Sequence, residues 1–166
     1  MATSKKTFFF GEDHLTAQIS EKARKKIRAS YEVVARIVDM GYPVYGINTG
    51  FGPLCTTKIS KTETKILQNN ILKSHSVGVG QPIENEIAKL MLVLKAHSLA
   101  KGFSGIAEAT LDRILWHIDN DAIPIVPSQG SVGASGDLAP LSHLFLPLIG
   151  LGKVRYVKKV ISTAQL

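Results

Sequence analysis

The chain has 166 residues, of which 45% are apolar, and its formal net charge at pH 7 is +7. This length allows one sizeable hydrophobic core, so we expect a single globular domain over residues 1–166. The longest apolar stretch, residues 138–151, is shorter than the ~20 residues that a bilayer requires. Because Pro140, His143 and Pro147 interrupt it, we interpret this stretch as core and expect no membrane association.

The sequence contains one cysteine, Cys55, which has no partner for a disulfide within the chain. The apolar run at residues 8–10 is too short for the hydrophobic region of a secretory leader. We therefore expect a reducing, cytoplasmic compartment.

Basic residues concentrate between Lys22 and Lys26. They alternate with the apolar Ala23 and Ile27 at helical spacing, which indicates the water-facing side of an amphipathic helix. No aromatic residue lies among them to stack on bases, so we expect no nucleic-acid binding and keep it only as a minor alternative.

The spacing of apolar residues predicts four helices in the first 120 residues. The first ends at Gly41, and the second opens with a capping box formed by Ser60 and Glu63. A loop at 42–54, rich in glycine and proline, separates these two. The predicted helices cover residues 20–40, 60–75, 84–101 and 105–119.

The remaining sequence predicts an extended segment, a glycine-rich loop and a further helix. Asp137 is a candidate N-cap of that helix, whose first turn tolerates Pro140. Residues 153–161 predict a short hairpin, and Ser162 with Gln165 forms a second capping box. This box predicts the start of a helix, but the given sequence ends at Leu166 before that helix could continue. We therefore interpret the chain as the N-terminal piece of a longer, mainly helical protein.

The glycine-rich loop, GSVGASGD at 130–137, is the strongest candidate for chemistry. It does not fit a hydrolase elbow, because Asp137 stands where the final glycine is needed. Neither this loop nor the one at 45–52 has the spacing of a phosphate-binding or dinucleotide-binding loop. The five histidines show no close ligand pairs, so we expect no metal site.

A fourth possibility uses the backbone of Ala134, Ser135 and Gly136. The Gly136 nitrogen carries little steric bulk, and its attack on the carbonyl carbon of Ala134 would close a five-membered ring. Loss of water from the ring and of the serine hydroxyl would leave a methylidene carbon, an electrophile. The alternative is an ordinary glycine-rich turn, and spacing alone leaves both open.

Four stretches closely resemble the histidine ammonia-lyase family within the aromatic amino acid lyases. They are GSVGASGDLAPLSH at 130–143, YGINTGFG at 45–52, SHSVGVG at 74–80 and MLVLKAHSLAKGFSGI at 91–106. The resemblance implies the N-terminal prosthetic-group domain of the mainly α, aspartase-like ammonia-lyase fold, truncated before the central helical bundle. It also implies chains about three times as long that associate as homotetramers.

The resemblance further implies that Ala134, Ser135 and Gly136 form a methylidene-imidazolone group autocatalytically, with no external cofactor. Tyr45 matches the family's catalytic tyrosine, the candidate base that removes the β-proton of the substrate.

The remaining expected site residues bind the substrate or support the site. His75 matches the residue that contacts the imidazole side of the substrate, and Ser74 precedes it in the substrate pocket. Asn48 and Asp137 are expected to shape the site without performing chemistry.

The Ser74–His75 pair resembles the histidine-selective pattern, which implies deamination of L-histidine to urocanate and ammonia. Some tyrosine ammonia-lyases carry the same pair, so tyrosine deamination is the alternative reaction. We expect the 166-residue chain alone to be inactive, because the rest of the family's pocket lies downstream. A noncatalytic helical interaction module is the alternative from another class.

Overall fold

The computed structural model describes residues 16–51 and 59–166. Cys55 and the apolar run at residues 8–10, on which the expected compartment rests, lie outside the described residues. The described part is mainly helical, as predicted. Its α-helices are α1 (Glu21–Met40), α2 (Lys61–His75), α3 (Asn85–Leu99), α4 (Glu108–Asp119) and α5 (Leu138–Phe145).

Capping interactions define the ends of α1 and the start of α2, and those at Gly41 and Ser60 were predicted. The Ala23 amide donates to Ser20 Oγ at the start of α1, and Gly41 ends this helix in the left-handed conformation with φ 69°. At the start of α2, Ser60 and Glu63 form both hydrogen bonds of a capping box. These local signals therefore fix two helix starts and one helix end.

The hydrophobic core lies where α3 and α4 pack against each other. Leu92 of α3 is fully buried with Leu111, Ile114 and Ile118 of α4, and Ile27 of α1 joins them. Burying each of these side chains contributes about 1.5–3 kcal/mol relative to leaving it in water.

Arg24 corrects the expectation that the basic cluster of α1 faces water. Its guanidinium reaches α4 and pairs with Glu108 and Asp112, with N···O distances of 2.7 Å to each carboxylate. These hydrogen bonds raise the pKa of Arg24. The remaining basic residues of the cluster, Lys22, Lys25 and Lys26, are exposed as predicted.

Two small antiparallel sheets complete the fold. In the first, β1 (Val79–Pro82) pairs with β3 (Pro127–Gln129). The second has the order β2-β4-β5, from strands Ile123–Pro124, Lys153–Tyr156 and Lys159–Ser162. The predicted hairpin is β4 and β5, joined by two residues with positive φ, Val157 and Lys158, which is typical of a tight hairpin turn.

The apolar stretch 138–151 forms α5 and a following 3₁₀ turn, Leu146–Ile149. Ala139, Leu144 and Pro147 are buried, which confirms its assignment to the core. In the described ranges, none of the helices has both the length and the apolar character to traverse a bilayer.

Candidate active site

The site is built on the close approach of two backbone segments, the one after α2 and the one after β3. Val79 pairs with Gln129, which brings Gly78 beside Gly130. A Cβ placed on Gly130 would lie 3.0 Å from the Gly78 Cα, and one on Gly78 would lie 3.0 Å from the Gln129 carbonyl oxygen. Only glycine allows the two main chains to come this close.

His143 of α5 fixes the same crossing by a hydrogen bond. The Gly78 amide donates to His143 Nε2 at 3.0 Å. Because an amide can only donate, Nε2 must carry a lone pair, so the ring is neutral with its proton on Nδ1. Burial lowers the pKa of His143, which favours this neutral form.

The loop that follows, residues 131–137, turns back sharply. Gly133–Ser135 form a 3₁₀ turn, and the next two residues, Gly136 and Asp137, are both left-handed with φ 73° and 60°. Among the described residues, no atom lies within 4 Å of a Cβ placed on Gly133 or Gly136, and the Ala134 side chain is exposed. The tripeptide 134–136 thus lies in a tight, uncrowded turn ending in glycine, an arrangement that fits backbone cyclisation.

Asp137 stands at the N-cap position of α5 but does not cap it, which corrects the prediction. Its backbone is left-handed rather than extended, and its side chain makes no capping hydrogen bond. The carboxylate instead accepts a hydrogen bond from Ser131 Oγ. Asp137 therefore closes the loop by joining its two ends.

His75 is the last residue of α2 and is half-buried. Its Nδ1 lies 2.9 Å from the Ile71 carbonyl oxygen and 3.0 Å from Ser74 Oγ. Since a carbonyl can only accept, Nδ1 carries the proton in the neutral ring. This assignment leaves Nε2 with a lone pair, so His75 presents a hydrogen-bond acceptor.

Tyr45 lies in the loop after α1 and is exposed. Its ring packs edge-on against Phe51, with centroids 5.8 Å apart. Asn48 is buried and ties this loop together, since its Oδ1 accepts from the Val44 amide at 2.8 Å and its Nδ2 donates to the Tyr42 carbonyl at 2.7 Å.

The structure connects the segments that flank two of the expected groups of residues. The segment after Ser74 and His75 leads into β1, which pairs with β3, the strand before the loop 131–137. Gly78 of the same segment also bonds His143 of α5, the helix after that loop. Among the described residues, no hydrogen bond or ring contact joins Tyr45 to either segment. Within these ranges there is also no group of three or more candidate metal ligands.

The aromatic amino acid lyase family model matches residues 6–166. The chain belongs to this family. The histidine ammonia-lyase of Shouchella clausii is 49% identical over 147 residues, which are 89% of this chain and 29% of the relative.

Two solved structures share the fold. The histidine ammonia-lyase of Trypanosoma cruzi is 38% identical with a TM-score of 0.85, over 93% of this chain and 30% of that one. The tyrosine aminomutase of Streptomyces globisporus is 32% identical with a TM-score of 0.85, over 93% of this chain and 29% of that one. This lyase chain therefore spans about 30% of the length of the proteins that it matches.

Two residues of the candidate site were not predicted from the sequence, Ser131 and His143. Both lie inside the stretch 130–143 that carries the resemblance, but their partners, Asp137 and Gly78, become evident only in the structure. The available signal for His143 was a histidine in the last turn of a helix assigned to the core, since a polar ring there requires a partner.

Proposed function

We propose that the natural polypeptide containing this chain is a histidine ammonia-lyase, which converts L-histidine to urocanate and ammonia. The C–N bond and one Cβ–H bond of the substrate break, and a C=C bond forms between Cα and Cβ. The observation that carries the proposal is that the segment after His75 is held against the two elements that flank the loop 131–137, by pairing with β3 and by the hydrogen bond from Gly78 to His143 of α5. The 49% identity to a histidine ammonia-lyase supports the same substrate.

The tripeptide 134–136 would form the methylidene-imidazolone group, which supplies an electrophile that makes the amino group a leaving group. The chain's own residues prepare this turn. Gly136 adopts the left-handed conformation without a Cβ penalty, and the hydrogen bond from Ser131 to Asp137 holds the loop ends together.

His75 would orient the substrate through its side chain. Its Nδ1 proton is engaged by the Ile71 carbonyl, so Nε2 is available to accept an N–H from the substrate's imidazole. Tyr45 would remove the β-proton as a general base, and Asn48 would hold the loop that presents it.

Deamination of tyrosine is the second candidate reaction. It is favoured by the likeness to the Streptomyces globisporus tyrosine aminomutase, at a TM-score of 0.85 and 32% identity. A phenol hydroxyl could donate to the same Nε2 of His75, so the acceptor alone does not select between the two substrates.

The test is an assay of the natural polypeptide with L-histidine and with L-tyrosine, combined with intact-mass measurement. We expect urocanate from L-histidine, little product from L-tyrosine, and a mass lower by two waters than the sequence mass. Ser135→Ala is the matched control, which should have the full sequence mass and form no urocanate. Turnover of L-histidine by Ser135→Ala, or preference for L-tyrosine, would contradict the proposal. We expect no turnover from the 166-residue chain alone.

A further inference from the structure

His143 of α5 lies where the segment after His75 crosses the helix that follows the tripeptide 134–136. It is six residues after Asp137 on α5, and its partner Gly78 is three residues after His75. The bond has the ordinary length of a well-formed hydrogen bond, with a donor–acceptor distance of 3.0 Å. One side chain thus bridges two segments that are more than fifty residues apart in sequence.

We propose that His143 is a positioning residue, which sets the place of His75 relative to the tripeptide 134–136 by accepting the Gly78 amide hydrogen. This inference rests on the proposed function, because it assigns His143 a role in that same reaction. His143 does not touch substrate in this assignment and acts through the segment after α2.

The packing around the crossing explains why this bond would control position. A Cβ on Gly78 would lie 3.2 Å from the His143 ring and 3.0 Å from the Gln129 oxygen, so the segment is enclosed on two sides. Movement away from them is limited by the strand register Val79 to Gln129 and by the hydrogen bond itself. Without an acceptor at 143, the Gly78 amide would be left unpaired beside a half-buried ring, which favours displacement of the segment.

Substitutions at residue 143 distinguish the effect of losing the hydrogen-bond acceptor from the effect of changing the side-chain volume. In the natural polypeptide, His143→Phe keeps a ring but removes the acceptor, whereas His143→Gln places a carbonyl oxygen near the position of Nε2. His97→Phe is the matched control, because His97 is exposed on α3. If the His143→Phe protein does not fold, His143→Asn is used instead. The asparagine side chain is too short for its carbonyl oxygen to reach the Gly78 amide.

Five quantities are measured for each variant: kcat, KM for L-histidine, intact mass, melting temperature, and hydrogen exchange of the Gly78 amide. We expect His143→Phe to keep the two-water mass deficit, to lose roughly tenfold to a hundredfold in kcat/KM, and to exchange Gly78 faster. His143→Gln should recover most of both the activity and the protection, and His97→Phe should match the unsubstituted protein. A purely structural role would lower the melting temperature without this rescue by glutamine.

The inference is overturned if a folded His143→Phe or His143→Asn protein with the mass deficit has unchanged kcat/KM. It is also overturned if His143→Gln folds and matures but is as slow as His143→Phe. Failure of the proposed function is a separate result, because it would appear in the unsubstituted protein, which would then deaminate neither amino acid. That result would remove the reaction that His143 is proposed to serve.

Discussion

Replacing Gly130 by alanine tests the close approach on which the site is built. Gly130 has φ 137°, a conformation that costs a residue with a Cβ about 1–3 kcal/mol. The new Cβ would also lie 3.0 Å from the Gly78 Cα and 3.2 Å from the Ala139 Cβ, an overpacking that costs about 1–3 kcal/mol. Partial relaxation of the exposed loop reduces the total, so we expect Gly130→Ala to lower the free energy of unfolding by about 2–4 kcal/mol.

The assay is urea unfolding followed by the fluorescence of Trp116, the single tryptophan, with a thermal melt in parallel. A loss of this size lowers the melting temperature by roughly 5–15 °C in a chain of this length. Gly133→Ala is the matched control, because it lies three residues away with open space around its Cβ and no positive φ. We expect its stability to change by less than about 1 kcal/mol. Equal stabilities of the two variants would refute the argument from the crossing.

Two further predictions concern the stability of the fold around α4. His117 is 1% exposed, with Nδ1 2.7 Å from the Ala122 oxygen. Burial lowers its pKa, so the unfolded chain binds the proton more readily, and stability should fall as the pH decreases from about 6.5 toward the folded pKa. His117→Leu should flatten melting temperatures measured from pH 5 to 8, and an unchanged profile would contradict this assignment. Arg24→Met should lose about 1 kcal/mol of stability, less at high salt, because two ion pairs to α4 are removed. Lys25→Met is its exposed control, and equal urea midpoints for the two variants would refute the prediction.

The sequence was most informative for local features, whose hydrogen bonds join residues close to each other in the chain. The capping boxes at Ser60 and Ser162 and the helix end at Gly41 formed as predicted, because their hydrogen bonds join residues within one turn. The hairpin at 153–161 is local in the same sense. Such features need no knowledge of the rest of the fold.

The features that were not predicted depend on residues distant in the sequence. Strand β1 contains Gly80 and Pro82, which normally interrupt regular structure, and it forms because the β3 backbone lies beside it. From the sequence, Arg24 was expected to face solvent, but in the structure it pairs with the carboxylates of Glu108 and Asp112 on α4. For the candidate site, the motifs located the loop and His75, but the hydrogen bond between Gly78 and His143 joins residues 65 positions apart.

The contacts around the loop 131–137 suggest how the proposed cyclisation is prepared. Close packing is concentrated at the ends of the loop, where Gly130 meets Gly78 and where Ser131 donates to Asp137. The left-handed backbone of Asp137 costs about 1–2 kcal/mol. The hydrogen bond to its carboxylate offsets part of this cost. Between these ends, no described atom lies within 4 Å of a Cβ placed on Gly136. Fixed loop ends with free space beside Gly136 favour the proposed ring closure, because the ends restrict the loop while the turn at 134–136 can still adjust.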